Sequence, residues 1–146
     1  MLRALLFIAL LLPLAACDEP FIVFAGGKLS GEELPPPADW SELGKAETIQ
    51  LETNPEDPYS VNIWVAGIGP DLYIGTGPEG TRWTKNIADD PRVRVRIEGN
   101  IYPLIAHPVT DPAERRRVAR AYVDKYELDP DGDWLIDALV FRLDRR

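Results

Sequence analysis

Short segments with strand patterns, separated by turn signals, recur through most of this chain and constrain its fold more than any other feature. The strictest is RVRVRI, Arg92–Ile97, whose alternation puts valines and isoleucine on one face and the arginines on the other. Further strands are predicted near residues 48–53, 60–66, 72–76, 101–109 and 138–143, about six in all. Gly/Pro/Asp residues at 67–71 and Gly99-Asn100 predict two hairpins.

Two helices are predicted among these strands. The longer one begins at Asp111, because Asp is a good N-cap, Pro112 suits the first helical position and Glu114 completes a capping box. Its apolar face is predicted to carry Val118, Tyr122 and Tyr126, with Arg115, Arg116 and Arg117 turned mostly to water. The shorter helix covers roughly 81–89. So few helices exclude a parallel doubly wound sheet and favour a mainly β, α+β antiparallel fold, which a small closed barrel satisfies without exposed edges.

The N-terminus has the layout of an export signal. Arg3 precedes an apolar run from residue 4 to residue 12, which is too short for a membrane-spanning helix of roughly 20 residues. Leu14-Ala15-Ala16-Cys17 follows and resembles the lipobox of bacterial lipoproteins. That resemblance implies cleavage after residue 16 and lipid attached to Cys17. The alternatives are an ordinary signal with a chance cysteine and a buried thiol.

The predicted organisation is a signal peptide at 1–16, a lipid-anchored tether at 17–38 and a folded domain at 39–146. Glycines and Pro35-Pro36-Pro37 favour an extended spacer, and the apolar patch Phe21-Ile22-Val23-Phe24 lies in the membrane interface or docks on the domain. The chain has a formal charge of −8, and loss of Arg3 with the signal makes it −8 − 1 = −9. An acidic chain disfavours nucleic acid as a partner, and anionic membrane lipids repel it. The lipid attached to Cys17 must therefore provide the anchor. We therefore expect the protein on the extracytoplasmic side of a bacterial membrane.

A resemblance to a known superfamily covers roughly residues 60–143. It is carried by VNIWVA, by DLYI after the turn, by RWTKNIADDPRVRVRI, by PVTD before the capped helix, by the KY that ends this helix and by the final FRL. These motifs resemble the split β-barrel proteins that include pyridoxamine phosphate oxidases and deazaflavin-dependent nitroreductases, and they look closest to a small uncharacterised branch. The resemblance implies a split β-barrel and, as in flavin-binding relatives, a homodimer.

The resemblance also implies a cofactor site. In flavin-binding relatives the loop after the third strand and the following helix hold the cofactor phosphate, and here the glycines, the helix start and nearby basic side chains suit an anion. Trp83 would stack on the ring and Asn86 would supply a hydrogen bond. The candidate cofactor-binding residues are Thr76, Gly77, Gly80, Arg82, Trp83, Lys85, Asn86 and Arg94. The alternatives are a core Trp83, arginines paired with carboxylates and a plain glycine turn.

Two functions follow as hypotheses. The first is a reductase of small organic or quinone-like acceptors that uses flavin mononucleotide or a deazaflavin, with catalytic residues unassigned. The second is a cofactor-free binding or interaction module of the cell envelope, because one fold supports many functions.

Other chemistries have little support. His107 is the only histidine, and no G-x-S-x-G occurs, which disfavours a serine hydrolase and predicts a surface or edge role for His107. The acidic stretch at 129–137 resembles a calcium loop, but its glycine is misplaced and no closing glutamate follows, so an acidic turn is expected and no metal site is predicted.

Overall fold

The structure, a computed structural model, describes residues 26–132 and 134–146. The predicted signal peptide, Cys17 and the patch at 21–24 lie outside the described residues. Within them, no helix is long and apolar enough to cross a bilayer. The strands are β1 (Glu32–Glu33), β2 (Thr48–Thr53), β3 (Tyr59–Trp64), β4 (Ala66–Ile68), β5 (Asp71–Thr76), β6 (Arg92–Ile97), β7 (Asn100–Pro108) and β8 (Leu139–Arg145). The helices are α1 (Arg82–Asp89), α2 (Pro112–Tyr126) and α3 (Trp134–Asp137), with a 3-10 turn at Leu43–Lys45.

The strands form one mostly antiparallel sheet in the order β3-β2-β6-β7-β8-β5-β4, with β1 parallel to the start of β7. The sheet curls into a half-barrel, so the predicted antiparallel α+β barrel fold is confirmed. A single residue, Val65, joins the first strand in this order to the last, and it is fully buried. The Tyr122 hydroxyl on α2 donates toward the carbonyls of Trp64 (3.4 Å) in the edge strand β3 and Tyr73 (3.3 Å) in β5, so it lies where the two ends of the sheet approach each other.

All six predicted strands are present, but the described residues contain eight. The segment predicted as one strand at 60–66 is divided at Val65, because β3 pairs with β2 whereas β4 pairs with β5. Only Ala66–Ile68 therefore forms the first hairpin with β5. The second hairpin has Ile97 opposite Asn100, so its turn is Glu98-Gly99, both with positive φ, one residue earlier than predicted.

The barrel interior holds the main core. Val93, Val95 and Ile97 of β6 are at most 2% exposed, which confirms the predicted inner face of this strand. Helix α1 places Trp83 and Ile87 in the same core. A second cluster lies between α2 and the outside of β4 and β5, with buried members Ala66, Tyr73, Val109, Val118 and Tyr122.

Helix α2 begins as predicted. The Asp111 carboxylate accepts a hydrogen bond from the Glu114 amide at 2.7 Å, and Pro112 occupies the first turn. The Glu114 side chain binds other partners, described below. Arg115 was expected to face water, but its guanidinium donates to the carbonyls of Val109, Ile136 and Ala138 at 2.9–3.1 Å. The reason is that the chain entering α2 and the chain after α3 both present unpaired carbonyls to it.

The segment expected to be a spacer lies along the barrel from Gly26 onward. Gly26 and Ser60 exchange two backbone hydrogen bonds of 2.8 Å, and β1 pairs with β7. Leu29 is buried, and its amide donates to the Glu52 carboxylate. Within the described residues, contacts with the barrel therefore begin at Gly26, before the boundary predicted near residue 39.

The acidic stretch after α2 forms a turn, in which the Asp129 carboxylate accepts from the Asp131 amide at 3.0 Å. His107 has a side chain 53% exposed and lies 3.7 Å from Asp144, as expected of a surface residue. No group of three or more metal-ligating side chains that could hold an ion occurs in the described part of the chain.

Candidate cofactor site at the start of helix α1

The loop between β5 and α1 lies at the protein surface, where Pro78 and Glu79 are exposed. Gly77 opens it, and a side chain at this position would have nothing within 4 Å. Gly80 closes it with φ +68°, where a β-carbon would lie 2.9 Å from Thr84 Oγ1. The loop therefore needs a residue without a side chain at Gly80, both for its backbone conformation and for its close approach to α1.

Thr81 precedes the first turn of α1. Its amide donates to Thr84 Oγ1 at 2.9 Å, and Thr84 Oγ1 donates to the Thr81 carbonyl at 2.8 Å. The Thr81 hydroxyl is buried beside the Thr84 amide in a capping-box arrangement, so it is not presented to a ligand at the surface. Amides of a first helical turn have no acceptor within the helix, and the helix dipole is positive there. This end of α1 therefore carries a partial positive charge.

Two basic side chains stand on the same turns of α1. Arg82 is exposed, and its guanidinium lies 4.3 Å from the centre of the Tyr59 ring, a cation–π contact that leaves the guanidinium charge unneutralised. Lys85 is exposed and forms no ion pair within residues 26–132 and 134–146. Arg82 and Lys85 therefore lie beside the loop that contains Gly77 and Gly80, and their role in binding a cofactor stays a prediction.

The side chains of Trp83 and Asn86 have partners within the protein and do not extend to this surface. Trp83 is 4% exposed and packs edge-on against Phe141, with ring centroids 5.6 Å apart. This is the alternative core position, and a ring with so little exposure has no free face on which a flavin could stack. Asn86 Nδ2 donates to Thr53 Oγ1 at 2.9 Å, which ties α1 to β2.

The remaining two predicted residues also have structural partners. Thr76 is half-buried at the end of β5, opposite Leu139. Arg94 donates to both oxygens of Glu52, at 2.9 and 3.1 Å, and its Nε lies 3.8 Å from Glu33. Since its guanidinium is held by these carboxylates, Arg94 fits the alternative of an arginine paired inside an acidic protein.

The donor set at α1 suits an anionic group. It combines the N-terminal end of a helix with two exposed cations, Arg82 and Lys85, that form no ion pair among the described residues, and this is the chemistry that binds phosphate at helix N-termini. The residues present therefore fit the phosphate-bearing side chain of a flavin or deazaflavin. They provide no aromatic platform for its ring.

A second polar cluster, around the buried Tyr73, was missed by the sequence analysis. The Tyr73 hydroxyl donates to Glu114 Oε1 at 2.8 Å and accepts from Arg117 Nη2 at 2.5 Å. Arg142 Nη1 also donates to Glu114, at 2.9 Å. Burial, followed by the Glu114 hydrogen bond, raises the pKa of Tyr73 far above its usual range. The hydrogen-bonded partners are 28 to 44 positions apart along the chain, so no local pattern joins them.

The comparison with protein families gives one match. The sequence model of the F420H(2)-dependent quinone reductase family matches residues 73–129, the part that contains the glycine loop, α1, β6, β7 and α2. No protein of curated function matches the chain significantly.

Solved structures share the fold. A Listeria innocua protein assigned as a pyridoxamine 5'-phosphate oxidase has a TM-score of 0.58 and 16% identity, covering 71% of this chain and 87% of its own. A FAD-binding protein from Mesorhizobium loti has a TM-score of 0.54 and 16% identity, with 72% and 86% covered. An F420 reductase has a TM-score of 0.53 and 17% identity, with 76% and 95% covered. The resemblance to the split β-barrel superfamily is therefore confirmed for the fold.

Proposed function

We propose that this protein is a reductase of small organic acceptors that uses a deazaflavin or a flavin. The observation that carries the proposal is the pair of exposed cations Arg82 and Lys85 at the start of α1, beside the glycine loop, where neither forms an ion pair among the described residues. The match to the F420H(2)-dependent quinone reductase family spans this site, which supports the same cofactor class. The choice between flavin mononucleotide and deazaflavin is left to experiment.

The chain's own residues would bind and orient the cofactor. The first-turn amides of α1 and the side chains of Arg82 and Lys85 would hold its phosphate, and Gly77 leaves room for close approach. When bound, such a cofactor supplies two electrons to an organic acceptor as a hydride equivalent.

We also propose that Cys17 carries a lipid and holds the domain on the extracytoplasmic side of a bacterial membrane. The support is the charged, apolar and small-residue pattern that precedes Cys17. Residues 18–25, eight in number, separate Cys17 from Gly26, which is fixed to β3. At about 3.3–3.6 Å per extended residue they reach roughly 30 Å, so the barrel would stay close to the bilayer. A homodimer is proposed on the superfamily resemblance alone.

Cofactor uptake tests the site. The protein would begin at residue 17 with Cys17→Ser, which retains every residue that the structure describes, and would be titrated with flavin mononucleotide and with F420 while its thermal midpoint is followed. A ligand at about 100 times its Kd adds roughly 2.7 kcal/mol, enough to raise the midpoint of a domain of this size by several degrees. We expect one cofactor to do so.

The test variant combines Arg82→Ala with Lys85→Ala. The control variant combines Lys28→Ala with Lys45→Ala, which removes the same charge at exposed lysines elsewhere. The first pair should abolish the shift and the second should preserve it. An undiminished shift in the first pair would refute the site. No shift with either cofactor would instead favour the cofactor-free envelope module.

A further inference from the structure

A groove runs along the outer side of α2, away from the candidate cofactor site. Its volume is about 650 Å³, and it lies between α2 on one side and Pro130 and Ile136 on the other. Ala119 and Val123 line it from α2, and Ile136, with 72% of its surface exposed, lines it from the opposite side. A groove of this volume is in the range of small-molecule sites.

The walls of this groove are fixed by Arg115. Its guanidinium donates to the carbonyls of Ile136 (3.0 Å) and Ala138 (2.9 Å), and also to that of Val109 (3.1 Å). The chain that follows α3 is thereby held at a set distance from α2. Beneath the groove the surface continues into apolar side chains, among them Val118 and Val140.

The rim of the groove carries positive charge that the protein does not neutralise. Arg116 and Arg120 are one helical turn apart, both are exposed and both line the groove. Neither forms an ion pair with any residue that the structure describes, although the chain has a formal charge of −8. The neighbouring Arg117, in contrast, is paired with Asp71 at 3.1 Å. Asp124 also lines the groove, without pairing to either rim arginine.

We infer that this groove binds a fatty-acid anion, with the acyl chain along Ala119 and Val123 and the carboxylate at Arg116 and Arg120. An apolar floor beside two free guanidinium groups matches a ligand with one apolar chain and one anionic end. The inference does not depend on the proposed cofactor, because the two sites share no residue.

Laurate is the probe, titrated by calorimetry into the protein that begins at residue 17 with Cys17→Ser. We expect saturable binding with one site per chain. Arg116→Ala with Arg120→Ala should raise the Kd about tenfold or more, since hydrogen bonds to charged groups are lost. The control pair Lys28→Ala with Lys45→Ala should leave the Kd unchanged. Dodecanol, which lacks the charge, should bind about tenfold more weakly than laurate.

Ala119→Trp fills the groove and should abolish binding, with its thermal midpoint measured to establish that the variant is folded. If that variant does not fold, the arginine pair and dodecanol decide the question. Absence of saturable laurate binding, equal affinity for laurate and dodecanol, or an unchanged Kd in the arginine pair would each overturn the inference. Binding to phosphatidylglycerol vesicles without laurate binding would also overturn it and would identify a membrane-contact surface.

Discussion

The ion pair between Glu52 and Arg94 is expected to be a major determinant of stability, and Glu52→Gln tests it. The Glu52 side chain is 5% exposed and accepts hydrogen bonds from Arg94 and from the Leu29 amide. Glutamine has nearly the same shape and can still accept from the Leu29 amide. The substitution therefore removes the negative charge while it keeps the packing and one hydrogen bond.

The expected loss follows from the surroundings of Arg94. Removing one member of a buried pair costs about 3–5 kcal/mol, because the other charge is left without compensation. The Arg94 side chain retains 19% exposure, and the exposed Glu33 lies 3.8 Å from its Nε. Both features reduce the cost, so we expect about 3 kcal/mol, or a fall of roughly 10 °C in thermal midpoint.

Urea unfolding of Glu52→Gln, Arg94→Gln and the double variant measures the coupling. The double variant should cost about 2 kcal/mol less than the sum of the two single variants, as expected for residues in contact. Arg92→Gln on the same strand is the control, because Arg92 belongs to an exposed pair and should change stability little. A cost below about 1 kcal/mol for Glu52→Gln, or additive single costs, would refute the reasoning.

Two further predictions concern local contacts. The side chain and amide of Arg92 donate to Asp90 and lower the pKa of its carboxyl to about 2, so the stabilisation is complete above pH 4 or so and is lost as the pH falls through about 2. An NMR titration of Asp90 should show this pKa, and Arg92→Gln should return the pKa toward 3.8. An unshifted pKa in the wild-type protein would contradict the contact. Asp111→Ala removes the cap of α2 and should cost about 1 kcal/mol in urea unfolding, whereas Asp111→Asn should cost less; equal losses would argue against capping.

The sequence predicted those features that depend on neighbours along the chain. The alternation at Arg92–Ile97 identified the buried face of β6, and Asp111 with Pro112 identified the start of α2. The short helix predicted at roughly 81–89 is also present, as α1. In each case the spacing of a few residues is itself the physical cause of the structure.

Only the tertiary structure decided which side chains are available for binding. Arg94 and Lys85 are equally basic in the sequence, but Arg94 is held by Glu52, 42 positions away, whereas Lys85 faces solvent. Trp83 was compatible with a cofactor platform until the packing of α1 on the barrel placed it against Phe141. Local patterns report the period of a strand or helix, and they carry no information about which distant strand supplies a partner. Availability for a ligand depends on those distant partners, because an ion pair or a buried contact removes a side chain from solvent wherever its partner lies in the sequence.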